Sequence, residues 1–237
     1  MEPVFRSNMT VELVDWMGGD IAVIRSARVS TTDAALIAEE VDTSTAKDVG
    51  LINYLMRDRH GSPFEHNAFT FYIESPIFVF REFMRHRIAS YNEESGRYKE
   101  LKPVFYTPSE DRKLTQKGKP GAYEFVAGTT EQMQLTKSQI EESSVEAYDR
   151  YKKMLDEGIA REVARMVLPV NIYSSMFVTM NARSLMNFLS LRSLKQGKYP
   201  SSPQHEIALV SDTMEQHFAD KMPITYKSFM ENGRVAP

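Results

Sequence analysis

The chain predicts an α+β fold, a single domain over residues 1–237 with a central, mostly antiparallel sheet flanked by helices. Three observations lead there. Segments with strand chemistry and segments with helical period both occur along the chain. No proline-, glycine- or serine-rich linker clearly divides it. Its 237 residues, 42% hydrophobic and 26% charged, are enough to bury a sizeable core and ordinary for a water-exposed globular protein.

Val11–Trp16 alternates like a first strand. Asp20–Ser30 and Lys47–Asp58 read as helices, the second with Val49, Ile52, Leu55 and Met56 along one side. His60-Gly61-Ser62-Pro63 breaks that pattern, and Pro63 opens an extended segment. Ala68–Ile73 (AFTFYI), aromatic and β-branched, predicts a strand. Ser75-Pro76 has the form of a helix start, a serine cap followed by proline at the first position. That helix is expected to run to about Arg87 and carry Arg85-His86-Arg87 at its C-terminal end. Thr107–Gly121 is polar, with prolines and glycines, and predicts a long mobile loop. Gln132–Asp156 predicts a long amphipathic helix, and Ile159–Val167 a short one stopped by Pro169. Asn171–Met180 reads as extended and Ala182–Leu194 as helical. A polar loop, Lys195–Pro203, precedes a last helix over Gln204–Lys221.

Composition excludes several functions. The chain has no cysteine, so disulfides, thiolate metal sites and thiol nucleophiles are out. A net charge of −3 and a pI near 6.0 oppose a general nucleic-acid binder. No apolar run approaches bilayer-spanning length, so no membrane segment and a cytoplasmic location are expected. His60, Glu65 and His66 match no zinc spacing, and no metal is expected. Neither GxGxxG nor a Walker motif is present.

What remains is a local cluster of cations. The stretch RHRIASYNEESGRY packs Arg85, His86, Arg87 and Arg97 with Glu93 and Glu94. Arginine forks grip phosphate bidentately, so the cluster suits a small, planar, phosphorylated ligand. Cations ending a helix are also favoured by its dipole, which gives them a structural account as well. Arg192 lies within a turn of Leu185, Phe188 and Leu189 on the apolar side of its helix. A fixed charge there needs an anionic or carbonyl-rich partner, either in a buried ion pair or in a ligand. Arg165 and Arg183 have the same need. Arg161 and Glu162 can be simply solvated. Asn181, Arg183 and Asn187 at helical spacing suit the edges of a heterocycle, while Asn181 suits a helix cap equally well. Ser95 would need a positioned base to serve as a nucleophile.

Arg85-His86-Arg87 followed after seven residues by Ser95 resembles the signature of the flavin-dependent thymidylate synthases. His60-x-Ser62-x-x-Glu65-His66, residues 161–169 (REVARMVLP) and residues 181–192 (NARSLMNFLSLR) resemble further blocks of that family, in the same order. The likeness spans about residues 10–100 and 130–192. It implies a homotetramer with FAD and active sites shared between subunits. It also implies reductive methylation of dUMP to dTMP, with methylenetetrahydrofolate as one-carbon donor and NADPH as reductant. Hydride would come from reduced flavin, and the uracil would be activated electrostatically rather than by a cysteine. The resemblance places Arg192 beside the uracil as the catalytic group. It assigns Glu82, Phe83, Met84, Arg85, Glu93, Glu94, Ser95, Gly96, Arg97 and Arg165 to dUMP. FAD would be held by Ser62, Arg85, His86, Arg87, Glu93, Asn181, Ala182, Arg183 and Asn187, and His60 would lie near flavin or folate. After Arg192 the chain departs from the family. The turn is longer, and Ser202 stands where a His-Ala-Gln-x-Glu-Ile element would begin. That departure motivates the alternative of a nucleotide- and flavin-binding protein of the same fold with impaired turnover.

Overall fold

The computed structural model describes residues 2–31, 45–120 and 122–237. Strands β1 (Val4–Arg6) and β2 (Thr10–Met17) lead into α1 (Gly19–Arg28), and α2 spans Ala46–Arg57. A 3-10 turn at Ser62–Glu65 precedes β3 (Ala68–Pro76), α3 (Ile77–Phe83), β4 (Ser90–Glu93), β5 (Val104–Tyr106), β6 (Thr115–Lys119) and β7 (Ala122–Val126). Then come α4 (Thr130–Asp156), α5 (Arg161–Ala164), a second 3-10 turn (Arg165–Val167) and β8 (Tyr173–Met180). Three helices close the chain: α6 (Ala182–Arg192), α7 (His205–Lys221) and α8 (Pro223–Glu231).

The chain divides into two compact units. The first comprises Met1–Met9, Glu74–Arg81 and Glu93–Ser175; the second comprises Thr10–Ile73, Glu82–Asn92 and Met176–Pro237. In the first, β1 pairs in parallel with β5, and β6 with β7 as an antiparallel hairpin. Its core gathers Leu101, Phe105, Tyr148, Tyr151, Ala164 and Ile172. The two tyrosines stay in that core because their hydroxyls are satisfied there. Tyr148 donates to the Leu101 carbonyl at 3.0 Å, and Tyr151 accepts from the Leu101 N–H at 3.2 Å.

The second unit is built on most of a four-stranded sheet ordered β2-β3-β8-β4. Thr70 meets Thr179 at 2.9 Å, and the Tyr72 ring meets Phe177 at 5.5 Å. The partner numbers fall as the β3 numbers rise, so β3 and β8 run antiparallel. Along β3, Phe69, Phe71 and Ile73 are fully buried while their neighbours are not, the period of a half-buried strand. Phe69 packs edge-on against Phe218 of α7, with ring centroids 5.9 Å apart. Asp20 of α1 accepts from the Ile224 and Thr225 N–H groups and from the Thr225 hydroxyl, at 3.0, 2.9 and 2.6 Å. It thereby satisfies donors at the start of α8 that no residue of that helix satisfies.

Five expectations are corrected. Pro76 ends a strand instead of starting a helix, because the Ile77 and Phe78 N–H groups donate to the carbonyls of Ile172 and Val170. The helix after it stops at Phe83, short of the arginine triplet. The Tyr91 hydroxyl donates to the carbonyls of both Phe83 (2.9 Å) and His86 (2.7 Å), groups that a longer helix would have used itself. The expected loop over 107–121 contains β6, whose polar, exposed residues lack the apolar alternation that marks a strand; residue 121 lies outside the described residues. The short helix after Ile159 is a single α turn tightened into 3-10, and α8 begins at Pro223, where proline is tolerated at the first position.

Candidate active site

In the second unit Arg192, the residue expected to be catalytic, stands at the end of α6. Asn181 caps that helix by accepting from the Ser184 N–H at 2.9 Å, and the buried Ala182 donates its N–H to Asn67 Oδ1 at 2.7 Å. Leu185, Met186, Phe188 and Leu189 form the buried face. Arg192, the last helical residue, has a side chain only 18% exposed. Its partners are Glu82, whose Oε2 lies 2.7 Å from Nη1, and His86, whose Nε2 accepts from Nε at 3.0 Å. The His86 ring stands edge-on to Phe188 at 4.9 Å, and Phe188 stacks on buried Phe83 at 4.8 Å. Burial, aided by the Arg192 charge, lowers the His86 pKa to about 4, so near neutral pH the imidazole is an uncharged acceptor.

The chain beyond Arg192 is tied down. Ser193 donates to Asp212 at 3.0 Å and accepts from the Lys195 N–H at 3.1 Å. Buried Arg234 grips buried Glu215 through two bonds of 2.6 and 3.0 Å and also donates to the Leu189 carbonyl of α6 at 3.3 Å. Lys195 and Tyr226 reach the same carboxylate at 3.1 and 2.9 Å. Burial would raise Glu215, but Arg234, Lys195 and Tyr226 together hold it below the usual carboxylate range. The lengthened turn is therefore anchored at its start, through Ser193 and Lys195, and Ser202 offers no imidazole. Glu206 and Ile207, from the altered element, are buried in α7.

Elsewhere in this unit Arg183 bonds Glu65 through Nη1 and the Pro237 carbonyl through Nε, both at 2.6 Å. Its guanidinium lies against Gly61 so closely that a Cβ there would stand 2.5 Å from it, and any side chain at that position would displace the guanidinium. Ser62 and Asn187 are exposed, the latter donating to the Arg183 carbonyl. His60, also exposed, stacks on Tyr54 at 5.4 Å with the rings inclined by 26°. The Arg85 and Arg87 side chains are exposed, and no ion pair holds either among the described residues. Phe83 is fully buried, backbone included, and its carbonyl already accepts from Tyr91 and His86, whereas Met84 is exposed.

The first unit holds a cavity of about 270 Å³ whose lining includes Glu93, Glu94, Gly96, Glu162 and Arg165. Gly96 is buried, and a Cβ there would lie 3.0 Å from Leu101 and 3.3 Å from the Arg165 stem. Glu94 accepts from the Ser175 hydroxyl at 3.1 Å and pairs with Lys99 at 2.9 Å. Desolvation by the cavity walls raises Glu93; neighbouring Glu94 adds to the rise, and Ser174 and Arg165 only partly offset it. Ser95 Oγ accepts from the Arg97 N–H at 3.3 Å and so shapes the turn. Arg97 pairs with Glu162 at 2.9 Å, both side chains about half exposed.

The arginines singled out in the sequence thus fall into two groups, Arg97 with Arg165 in one unit and Arg85, Arg87, Arg183 and Arg192 in the other. Sequence reasoning missed that His86 serves Arg192 and that Glu162 faces Arg97. It missed the Glu215–Arg234 pair altogether. No local spacing could have signalled the contacts of His86 or Arg97, whose partners lie 106 and 65 residues away.

Comparison with known proteins agrees along the whole length. The family described as thymidylate synthase complementing protein matches residues 12–224. A flavin-dependent thymidylate synthase of Streptomyces avermitilis is 57% identical, over 100% of this chain and 97% of that protein. One from Thermotoga neapolitana is 42% identical over 93% of this chain and 90% of its own length. Among solved structures, the UMP/dUMP methylase PolB of Streptomyces cacaoi bound with 5-Br dUMP superposes with a TM-score of 0.93. It is 48% identical and matches 99% of this chain and 100% of its own.

Proposed function

The chain belongs to the thymidylate synthase complementing protein family, and from that premise we propose that it is a flavin-dependent enzyme methylating dUMP to dTMP. The observation that carries the reading is the setting of Arg192. A guanidinium largely withdrawn from solvent has Nε and Nη1 fixed by His86 and Glu82, and among the described residues its other N–H donors are left for a ligand. Such a preorganised cation in a low-dielectric setting stabilises negative charge on a uracil ring that has lost its N3 proton. Charge delocalised from N3 makes C5 nucleophilic, so a C5–carbon bond can form and the C5 proton can leave. No cysteine is available to add at C6.

Within the first unit, Arg165 on the cavity wall and Arg97 at Ser95-Gly96 suit a nucleotide phosphate, the role that the resemblance implies for them. Glu162 already takes the Arg97 Nε–H and competes with the phosphate for that guanidinium. The raised Glu93 carboxyl offers a hydrogen-bonding group to the sugar.

The flavin is read as FAD, and the donors in the second unit suit it. Arg85 and Arg87 present exposed guanidinium groups fit for a diphosphate, and Arg183 lies flat on Gly61 next to exposed Ser62. Among the described residues the Asn187 amide oxygen is left for a ring edge, and His60 offers a stacking face. When bound, reduced flavin supplies the hydride that completes the methyl group. Methylenetetrahydrofolate as donor, NADPH as reductant and a homotetramer with shared sites complete the proposal. Among the described residues no helix is long and apolar enough to cross a membrane, and a cytoplasmic location is proposed.

The test is tritium release from C5-labelled dUMP together with dTMP formation, with the folate and NADPH supplied. Both are expected only when all components are present. Flavin-loaded protein that forms no dTMP would favour the impaired-turnover alternative.

A further inference from the structure

We propose that His86 is a positioning residue for Arg192: by accepting the Arg192 Nε–H, it sets the plane in which the guanidinium meets the base. The inference rests on the ring-activating role of Arg192 given above. A guanidinium held at one point still swings about the last bonds of its side chain. Two fixed points on different nitrogens stop that rotation. Glu82 takes Nη1 and His86 takes Nε.

His86 is itself fixed at several points. Its N–H donates to the Phe83 carbonyl at 2.8 Å, and its carbonyl accepts from the Tyr91 hydroxyl at 2.7 Å. The ring rests edge-on against Phe188, in the last turns of the helix that ends in Arg192. Its two flanking arginines behave differently, for their side chains are exposed and no described residue pairs with them. The middle residue of the triplet therefore faces the protein while the outer two face outward. An imidazole that stays uncharged near neutral pH can go on accepting from a cation. The resemblance assigned His86 to FAD. The geometry assigns its Nε2 to Arg192.

The experiment compares wild type, His86→Ala and His86→Gln, the glutamine carrying an amide oxygen able to replace Nε2. Flavin content and thermal melting establish that each protein is folded and loaded. Two readouts follow: steady-state turnover of dUMP, and hydrogen exchange of the Arg192 Nε–H by nitrogen-15 NMR, assigned with Arg192→Lys. For His86→Ala we expect kcat to fall about 10–100-fold with KM for dUMP little changed, as for loss of one hydrogen bond to a charged group. Nε–H exchange should accelerate by at least about tenfold. His86→Gln should restore most of both. Loss of flavin in step with loss of activity would overturn the proposal and make His86 a cofactor ligand. So would unchanged Nε–H exchange in His86→Ala, or no rescue by glutamine in a folded, flavin-loaded protein. A wild type that forms no dTMP would remove the proposed function, and the exchange comparison would still decide the role of His86.

Discussion

The cavity of the first unit and the Arg192 cluster of the second both set arginine against carboxylate, yet they are built for opposite tasks. Arg97 and Glu162 pair with side chains 53% and 54% exposed, where water screens the attraction to roughly 0–1 kcal/mol. A pair this weakly held suits the exchange with phosphate proposed above. Arg192 is 18% exposed, and two groups fix two of its nitrogens. Its chain continues into a brace in which Arg234 and Glu215 are all but fully buried. Breaking a pair of that kind costs about 3–5 kcal/mol. The proposed function uses the first region for a ligand that exchanges and the second for a fixed field.

The largest effect should come from Arg192→Lys, which keeps the charge but loses the planar fork and both fixing contacts. Turnover should drop by at least about 100-fold with flavin content unchanged. Near-normal kcat would erase the contrast between the two regions. Arg165→Ala should act on binding instead, raising KM for dUMP about 10–100-fold, the range of one or two charge-assisted bonds, while kcat changes much less. An equal fall in kcat would move Arg165 into the chemistry.

Stability against pH gives a third handle. His86 is held near 4 when folded, below the ordinary 6.5, so the unfolded chain takes up this proton first as pH falls. The stability linked to a neutral His86 is complete above about pH 6.5 and is lost as pH drops towards about 4. Allowing for solvent screening of this partly exposed ring, the loss should be about 1–2 kcal/mol. Urea midpoints of wild type and His86→Gln at pH 7 and 4.5 would measure it, and parallel slopes would contradict it. The smallest effect should be in Glu162→Gln, where freeing Arg97 tightens dUMP by no more than about fivefold in calorimetry. Weakened binding would show that Glu162 helps the ligand.

Local pattern was readable wherever neighbouring residues decide it. The AFTFYI alternation located β3, and the Asn181 cap with its apolar face located α6, within a few residues of their ends. The end of α3 was not readable, because the hydroxyl that stops it belongs to Tyr91, eight residues beyond Phe83. β6 was hidden for a different reason, since its pairing with β7 needs no buried face. At the site, the sequence marked Arg192 as a cation in need of a partner, and one exists. It did not say that the partner is a pair of groups from residues 82–86, brought there by long-range folding. Glu215 and Arg234 look like any solvated charges in a one-dimensional reading, and only burial reveals them.

The central claim is that the Arg192 field draws negative charge into the uracil ring. The most direct measurement is the N3 titration of bound, nitrogen-15-labelled dUMP, followed by NMR in wild type and in Arg192→Gln. The N3 proton should be lost at a clearly lower pH in wild type than in free nucleotide, with most of that shift gone in the variant. An N3 that titrates in bound dUMP as it does in solution, with Arg192 intact, would contradict the account.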